Sequence, residues 1–226
     1  MTRDPQLKLY ELLPKKPGIT AEAFHHHWQF EHAPLSDPVT ALLQYVQSHR
    51  EGGAVPPFAG DDYDGVAEAW FDDLDTALGL AKDPAFLNGA AQDEPNFIDV
   101  GRIVFVHTEP RGQSAGGGRA ARTDRIKLLC FLSAAPGATR EDVDQSRPSA
   151  DQIAAELGAD LVVQSRPVVV PGADGGPPFA GVDEIFFPDA ATAASKAERL
   201  AALLARSAVV TVADSLGIIA RQVRIS

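Results

Sequence analysis

Two apolar runs, Leu7 to Leu13 and Ile126 to Ser133, each end in a Pro-Gly turn with a threonine just beyond it. Such runs read as strands, and Thr20 and Thr139 read as caps that start a helix. In the second half Glu141 and Asp142 follow the cap, favourable charge for a first helical turn. Tyr45 to Arg50 and Asp160 to Val170 are β-branched or alternating, and each leads through a Pro/Gly-rich loop to another strand at Val66 or Val182. Ala/Leu-rich runs from Asp72 and Asp189 favour helix, and Gly101 to Thr108 and Leu216 to Ile225 close each half as strands. The order βαββαβ, met twice, is the ferredoxin-like plan.

The two halves share landmarks in the same order. Pro17-Gly18-Ile19-Thr20 answers Pro136-Gly137-Ala138-Thr139, and Val46-Gln47-Ser48 answers Val163-Gln164-Ser165. Pro56-Pro57-Phe58-Ala59-Gly60 answers Pro177-Pro178-Phe179-Ala180-Gly181. Val66 to Ala77 against Val182 to Ala193, at a constant offset of 116, gives six identities in twelve without a gap. Internal duplication is therefore the main organisational signal. Pro110 to Asp124 is Gly-rich and nearly free of large apolar residues, so the sequence divides into a unit at 1–110, a linker at 111–124 and a second unit at 125–226. A small sheet covered by helices on one face needs a partner for the other, and a tandem duplicate supplies one within the chain. The expectation is an α+β protein of two ferredoxin-like units with sheets packed face to face.

Composition narrows the function. With 226 residues, the chain is one large domain or two small ones. Against 31 Asp and Glu stand 20 Lys and Arg, a net charge of −11, which argues against a surface that tracks phosphates. Nucleic acid is not an expected partner. The single cysteine, Cys130, sits within an apolar run and reads as a buried filler thiol. No apolar stretch approaches the ~20 residues of a membrane span, and Met1 to Pro5 lacks the apolar core of a signal peptide. No membrane association is expected, and the location expected is cytoplasmic.

Three segments, Phe24-(x)3-Trp28-(x)3-His32-Ala33-Pro34-Leu35, Tyr63 to Phe71, and Asp93-Glu94-(x)2-Phe97-Ile98-Asp99, together resemble the EthD family of dimeric α+β barrel proteins. The resemblance covers residues 7 to 110 and reaches the remainder through the duplication. It implies two ferredoxin-like units with sheets joined into a barrel, helices outside, and a pocket between sheet and helices. Such proteins are usually homodimers, whereas this chain looks like both subunits fused, an intrachain pseudo-dimer that leaves room for a further homodimer. Related activities include cofactor-free monooxygenases, polyketide cyclases, dehydratases, decarboxylases, muconolactone isomerase and some haem enzymes, so the fold leaves the reaction open.

At about 100° per residue His25, Trp28 and His32 share one stripe of the first helix, beside Phe24 and Glu31. The aromatic residues direct that stripe inward, which puts His32 on the buried side as a general base or acid. A packed core histidine is the plainer alternative, and the resemblance favours the pocket. Tyr45 offers a phenol to a carbonyl or enolate oxygen, and His49 shares its strand face. Glu68 falls between apolar neighbours on a face with Asp64, Val66 and Trp70, where a carboxylate finds a partner or rises in pKa. Glu184 repeats it, which suggests a shared structural role instead. The candidate site is thus His32, Tyr45 and Glu68 for catalysis, with Phe24, His25, Trp28, His49 and Trp70 contacting substrate in a carboxyl-poor, aromatic-lined hollow.

The second half has no histidine, and Pro148 interrupts its first helix, so the chemistry is expected in the first half. His25, His26 and His27 point about 100° apart on a helix and cannot converge on one ion; no metal is expected. Haem would need an axial histidine such as His32 presented to a large cavity. No phosphate loop, GxGxxG or GxSxG elbow occurs, so no cofactor is expected. The sequence reading is a cofactor-independent lyase, cyclase or isomerase acting on a hydrophobic oxygenated small molecule such as a polyketide or aromatic intermediate. A cofactor-free monooxygenase of a phenol and a noncatalytic small-molecule binding protein are its alternatives.

Overall fold

The structure, a computed structural model, describes residues 6–60, 62–115, 125–173 and 176–226. Its first half contains β1 (Leu7–Leu13), α1 (Ala21–His26), β2 (Gln44–Arg50), β3 (Gly65–Phe71), α2 (Leu74–Gly79), α3 (Pro84–Asn88), α4 (Ala90–Phe97) and β4 (Val104–Gln113). Its second half contains β5 (Ile126–Leu132), α5 (Arg140–Ser146), α6 (Ala150–Leu157), β6 (Leu161–Pro167), β7 (Gly181–Phe187), α7 (Ala190–Ala205) and β8 (Leu216–Arg224). The hydrogen-bonded strand order is β1-β3-β2-β8-β5-β7-β6-β4, a closed α+β barrel.

The chain forms two compact units, one of residues 1–49, 62–107 and 223–226, the other of residues 50–61 and 108–222. Strands β4 and β8 each run from one unit into the other, so the units interleave along the chain rather than dividing into 1–110 and 125–226. The expected linker also starts too early. Arg111 to Gln113 continue β4, with Gln113 opposite Val163, and buried Ser114 accepts the Val162 N–H on its Oγ at 3.0 Å. A strand edge is held by backbone hydrogen bonds, so a shortage of apolar side chains did not prevent pairing. Residues 116–124 of the expected linker lie outside the described residues.

Local signals set the element starts. Thr20 Oγ1 accepts from Ala23 N–H to cap α1, and Thr139 forms a reciprocal capping box with Asp142 at α5. Asp73 and Asp189, equivalent under the repeat, cap α2 and α7 by accepting from Thr76 and Thr192. The second helix of unit 1, expected as one run from Asp72, is broken into α2, α3 and α4, because Pro84 takes a first-turn position under the Asp83 cap and Gly89 separates α3 from α4. In unit 2 the chain passes Pro148 and starts α6 under a Ser149–Gln152 capping box.

The helix-facing side of the unit 1 sheet packs Leu13, Tyr45 and Ala67 against Phe24, Trp28, Phe97 and Ile98. In unit 2 the corresponding core holds Cys130, Val143, Ile153, Leu157, Val162, Ile185 and Leu200. Register explains the division. Glu11 stands opposite Ala67 and Tyr45 opposite Ala69, while Tyr10 and Val46 stand opposite Glu68. Successive side chains alternate faces, so Glu11 and Tyr45 share the helix side and Glu68 takes the other.

Candidate functional site

After α1 the helix widens. His27–His32 form a π-helical segment, in which the N–H of Ala33 reaches the Trp28 carbonyl, and Ala33–Ser36 then tighten into a 3₁₀ turn. Regular α-helical steps of about 100° per residue, as expected from the sequence, would point His27 and His32 well apart. The wider turn puts residues five apart on one side, and such segments recur at functional sites. His27 Nε2 and His32 Nδ1 both bond Asp93 on α4, at 2.9 and 3.0 Å, and both rings lie on Phe97, with centroids 4.8 and 4.9 Å away. An ionised carboxylate only accepts, so the bond to Asp93 assigns a proton to His32 Nδ1 and leaves Nε2 to exchange one with a ligand.

Tyr45 is fixed by a second network. Trp28 Nε1–H donates to the Tyr45 hydroxyl oxygen at 3.0 Å, and Gln47 Nε2–H donates to the Trp28 carbonyl at 2.8 Å and towards the same hydroxyl at 3.4 Å. Gln47 Oε1 is then the acceptor facing His49 Nε2 at 3.0 Å, and His49 Nδ1 meets His25 Nδ1 at 2.9 Å. With two donors on its oxygen, Tyr45 must turn its own O–H elsewhere, and the open direction is the cavity it lines.

That cavity, of about 40 Å3, is lined by Glu11, His32, Ser36, Tyr45 and Glu94 and closed by apolar side chains including Val39, Leu42, Leu80 and Phe86. It holds a few water molecules at most. Desolvation raises the Glu11 carboxyl to about 8, helped by the charge of Glu94, and raises Glu94 to about 7, helped by Asp93. Burial likewise pushes the Tyr45 phenol up, so it stays a donor. Desolvation lowers His32 below its ordinary value against the opposing pull of Asp93, which favours the neutral, proton-accepting ring. For Asp93 burial disfavours ionisation, but hydrogen bonds from Asn96, His27 and His32 outweigh it and hold its pKa low.

The structure thus brings His32 and Tyr45 onto one cavity and packs Phe24 and Trp28 behind them. His25 and His49 reach Tyr45 through Gln47 and do not line the hollow. Glu68 and Trp70 lie on the opposite sheet face. There Glu68 is buried, 2.6 Å from Lys8 Nζ and hydrogen-bonded by the Ser48 hydroxyl, while Lys8 Nζ sits 4.2 Å from the Trp70 ring centre. Unit 2 repeats this set: Lys127 Nζ is 2.7 Å from Glu184 and 5.4 Å from the Phe186 ring centre. The hollow is also not carboxyl-poor. Glu11 was legible as the acidic residue of an otherwise largely apolar strand, where alternation with Leu9 and Leu13 turns it towards the helices. Glu94 was not, because the helix that carries it is one of three short pieces.

Unit 2 fills the equivalent place. Cys130 stands for Glu11, Val162 for Tyr45 and Arg147 for Trp28, and Arg147 is locked at 2.9 Å to Asp183, itself in the place of Ala67. A more open hollow of about 690 Å3 in this unit is bordered by α5, α6 and α7, but its cations Arg147 and Arg206 are already met by Asp183 and Glu156. Among the described residues no group of three or more His, Cys, Asp and Glu side chains is placed to hold a metal ion. None of the described helices is long and apolar enough to cross a membrane.

Duplicated βαββαβ units sharing one closed barrel define the dimeric α+β barrel class, here within one chain. Residues 16–101 match the EthD domain, a span that contains His32, Tyr45 and Glu94. The chain is 29% identical over 103 residues to the dehydratase aurZ of Gibberella zeae, covering 40% of this chain and 68% of that protein. Its fold is similar to that of an anthrone oxidase-like protein, with a TM-score of 0.64, 12% identity, and coverage of 99% of this chain and 94% of the other. A monooxygenase-like protein from Lactobacillus acidophilus NCFM aligns with a TM-score of 0.51, 10% identity, and coverage of 99% and 95%. At those identities the likeness establishes the fold.

Proposed function

We propose that this protein is a cofactor-independent lyase, of the dehydratase class, that removes water from a small hydrophobic oxygenated molecule in the unit 1 cavity. The observation that carries the reading is that Asp93-held His32 and doubly hydrogen-bonded Tyr45 open on the same hollow. Similarity to a dehydratase over 103 residues supports the same class. In a β-hydroxy carbonyl substrate, Tyr45 donates to the carbonyl oxygen and stabilises charge that develops there. Neutral His32 takes the proton from the adjacent carbon through Nε2. Glu68, paired with Lys8 on the other face, serves the sheet rather than the reaction in this reading.

A substrate larger than a few waters displaces the apolar cover, and Leu42 and Phe86, both half-buried and borne on a turn and a short helix, are the side chains with least to hold them. The test is mass-spectrometric detection of water loss from a panel of aromatic and polyketide-like β-hydroxy ketones. Wild type converts at least one member, and His32→Ala lowers kcat by about 10²-fold. Oxygen uptake with a quinone product would favour the monooxygenase, and tight binding without conversion would favour a binding protein.

A further inference from the structure

Resting on the dehydratase reading, we propose that Glu11 and Glu94 act as a carboxyl pair that holds a proton in the cavity and delivers it to the departing hydroxyl group. The two side chains come from different elements, β1 and α4, and line one hollow with His32 and Tyr45. Among the described residues neither carboxyl makes an ion pair or a side-chain hydrogen bond, although almost every other acidic group in the buried parts of this unit does: Glu68 meets Lys8, and Asp93 meets His27 and His32. Two carboxyls left without cations in a desolvated hollow do not both ionise near neutrality, because each charge opposes the other. The groups around them sharpen this. Asp93 adds negative charge beside Glu94, the Tyr45 phenol stays neutral, His32 is held towards its neutral form, and His27 and Lys16 bond to Asp93 and to the Pro95 carbonyl on the α4 side. Glu11 rises to about 8 and Glu94 to about 7, so the pair carries its last proton close to physiological pH.

This supplies what the base alone lacks. His32 Nε2 takes the proton of the carbon next to the carbonyl, and the electrons of that C–H bond become the new C=C bond. The C–O bond to the β-hydroxyl breaks, the oxygen takes the proton of the neutral carboxyl, and it leaves as water. The proton on the imidazolium then returns to the carboxylate through solvent, and the enzyme is restored with no net oxidation or reduction. Acid and base are thus different groups whose surroundings move their pKa values to opposite sides of ordinary.

The test uses the full chain labelled with 13C at the glutamate side-chain carboxyls and followed by NMR against pH. In wild type two glutamates titrate well above pH 6. Glu94→Gln leaves one, moved to lower pH by loss of the neighbouring charge, and Glu11→Gln likewise leaves one. In the dehydration assay both variants lower kcat by about 10²-fold with little change in KM, and in Glu94→Gln the residual alkaline limb of the kcat profile moves down with the remaining carboxyl. All glutamates titrating below pH 5.5 in wild type would overturn the proposal without any variant being needed. His32-dependent water loss that is unimpaired in Glu11→Gln and Glu94→Gln would overturn the delivery step while the dehydratase reading stands. A paired titration in a protein that dehydrates nothing would instead overturn both the reading and the delivery step, leaving only the shared proton.

Discussion

Trp28 and Arg147 occupy the same place in the two repeats: a Cβ on Gly65 would lie 2.5 Å from the Trp28 ring, and one on Gly181 would lie 2.5 Å from the Arg147 guanidinium. A bulky group pressed on a strand-opening glycine is thus kept in both units, but its tip has changed from an indole that orients Tyr45 to a cation that neutralises Asp183. Trp28→Phe removes the N–H and also the outer ring edge that meets Gly65. It should cost about 2–3 kcal/mol of stability, from the lost hydrogen bond and the space left in a fully buried site, and lower kcat by roughly tenfold as the Tyr45 O–H loses its fixed direction. Paired thermal melts and steady-state kinetics check this; an unchanged kcat would detach Trp28 from the site.

In unit 2 the same position is a matter of stability. Arg147→Ala leaves the Asp183 carboxyl buried without its cation, and loss of one member of a buried pair costs about 3–5 kcal/mol. Urea unfolding should show that loss, and Arg147→Met with Asp183→Leu should recover most of it. Water loss by the folded fraction should be unaffected, since the pair belongs to the other unit.

Glu11 gives stability a pH dependence. Its folded pKa is raised, so the neutral form is the one the fold favours: the contribution is full below the unfolded value of 4.5 and is lost as pH rises towards about 8. The unfolding free energy of wild type should therefore fall by on the order of a few kcal/mol across that window. Glu11→Gln should flatten the curve and be more stable than wild type at pH 8, with near equality at pH 5. Parallel curves for the two proteins would show that Glu11 ionises freely.

Asp93 raises the basicity of His32 by hydrogen bond and charge. Asp93→Asn removes the charge, so His32 stays neutral to lower pH, and the acid limb of kcat/KM should shift downward. The amide can also accept or donate, which loosens the tautomer and lowers kcat by about tenfold or more. A pH–rate profile shows both effects, and an unmoved acid limb would mean that another group is the base.

Much of this was legible in the sequence because it rests on local signals. The duplicated threonine caps, the alternation in β3 and the second half's lack of histidine all follow from residue type and spacing. What could not be read depended on departures from regular geometry or on chain-distant packing. A π-helical turn joins His27 and His32 on Asp93, two carboxyls from β1 and α4 meet in one hollow, and strand β4 extends through a segment that composition marks as linker. Glu68 stands among apolar residues in β3, but its partner Lys8 sits on the neighbouring strand, beyond the reach of any pattern within β3.

The most direct measurement is a crystal structure of the protein soaked with a β-hydroxy ketone that it dehydrates, or with the product of that reaction. The account predicts the ligand in the unit 1 hollow, its carbonyl oxygen on the Tyr45 hydroxyl, its acidic carbon at His32 Nε2 and its hydroxyl towards Glu11 and Glu94. A ligand seated instead in the open hollow beside Arg147 and Arg206, with the space around His32 still closed by Leu42 and Phe86, would contradict it.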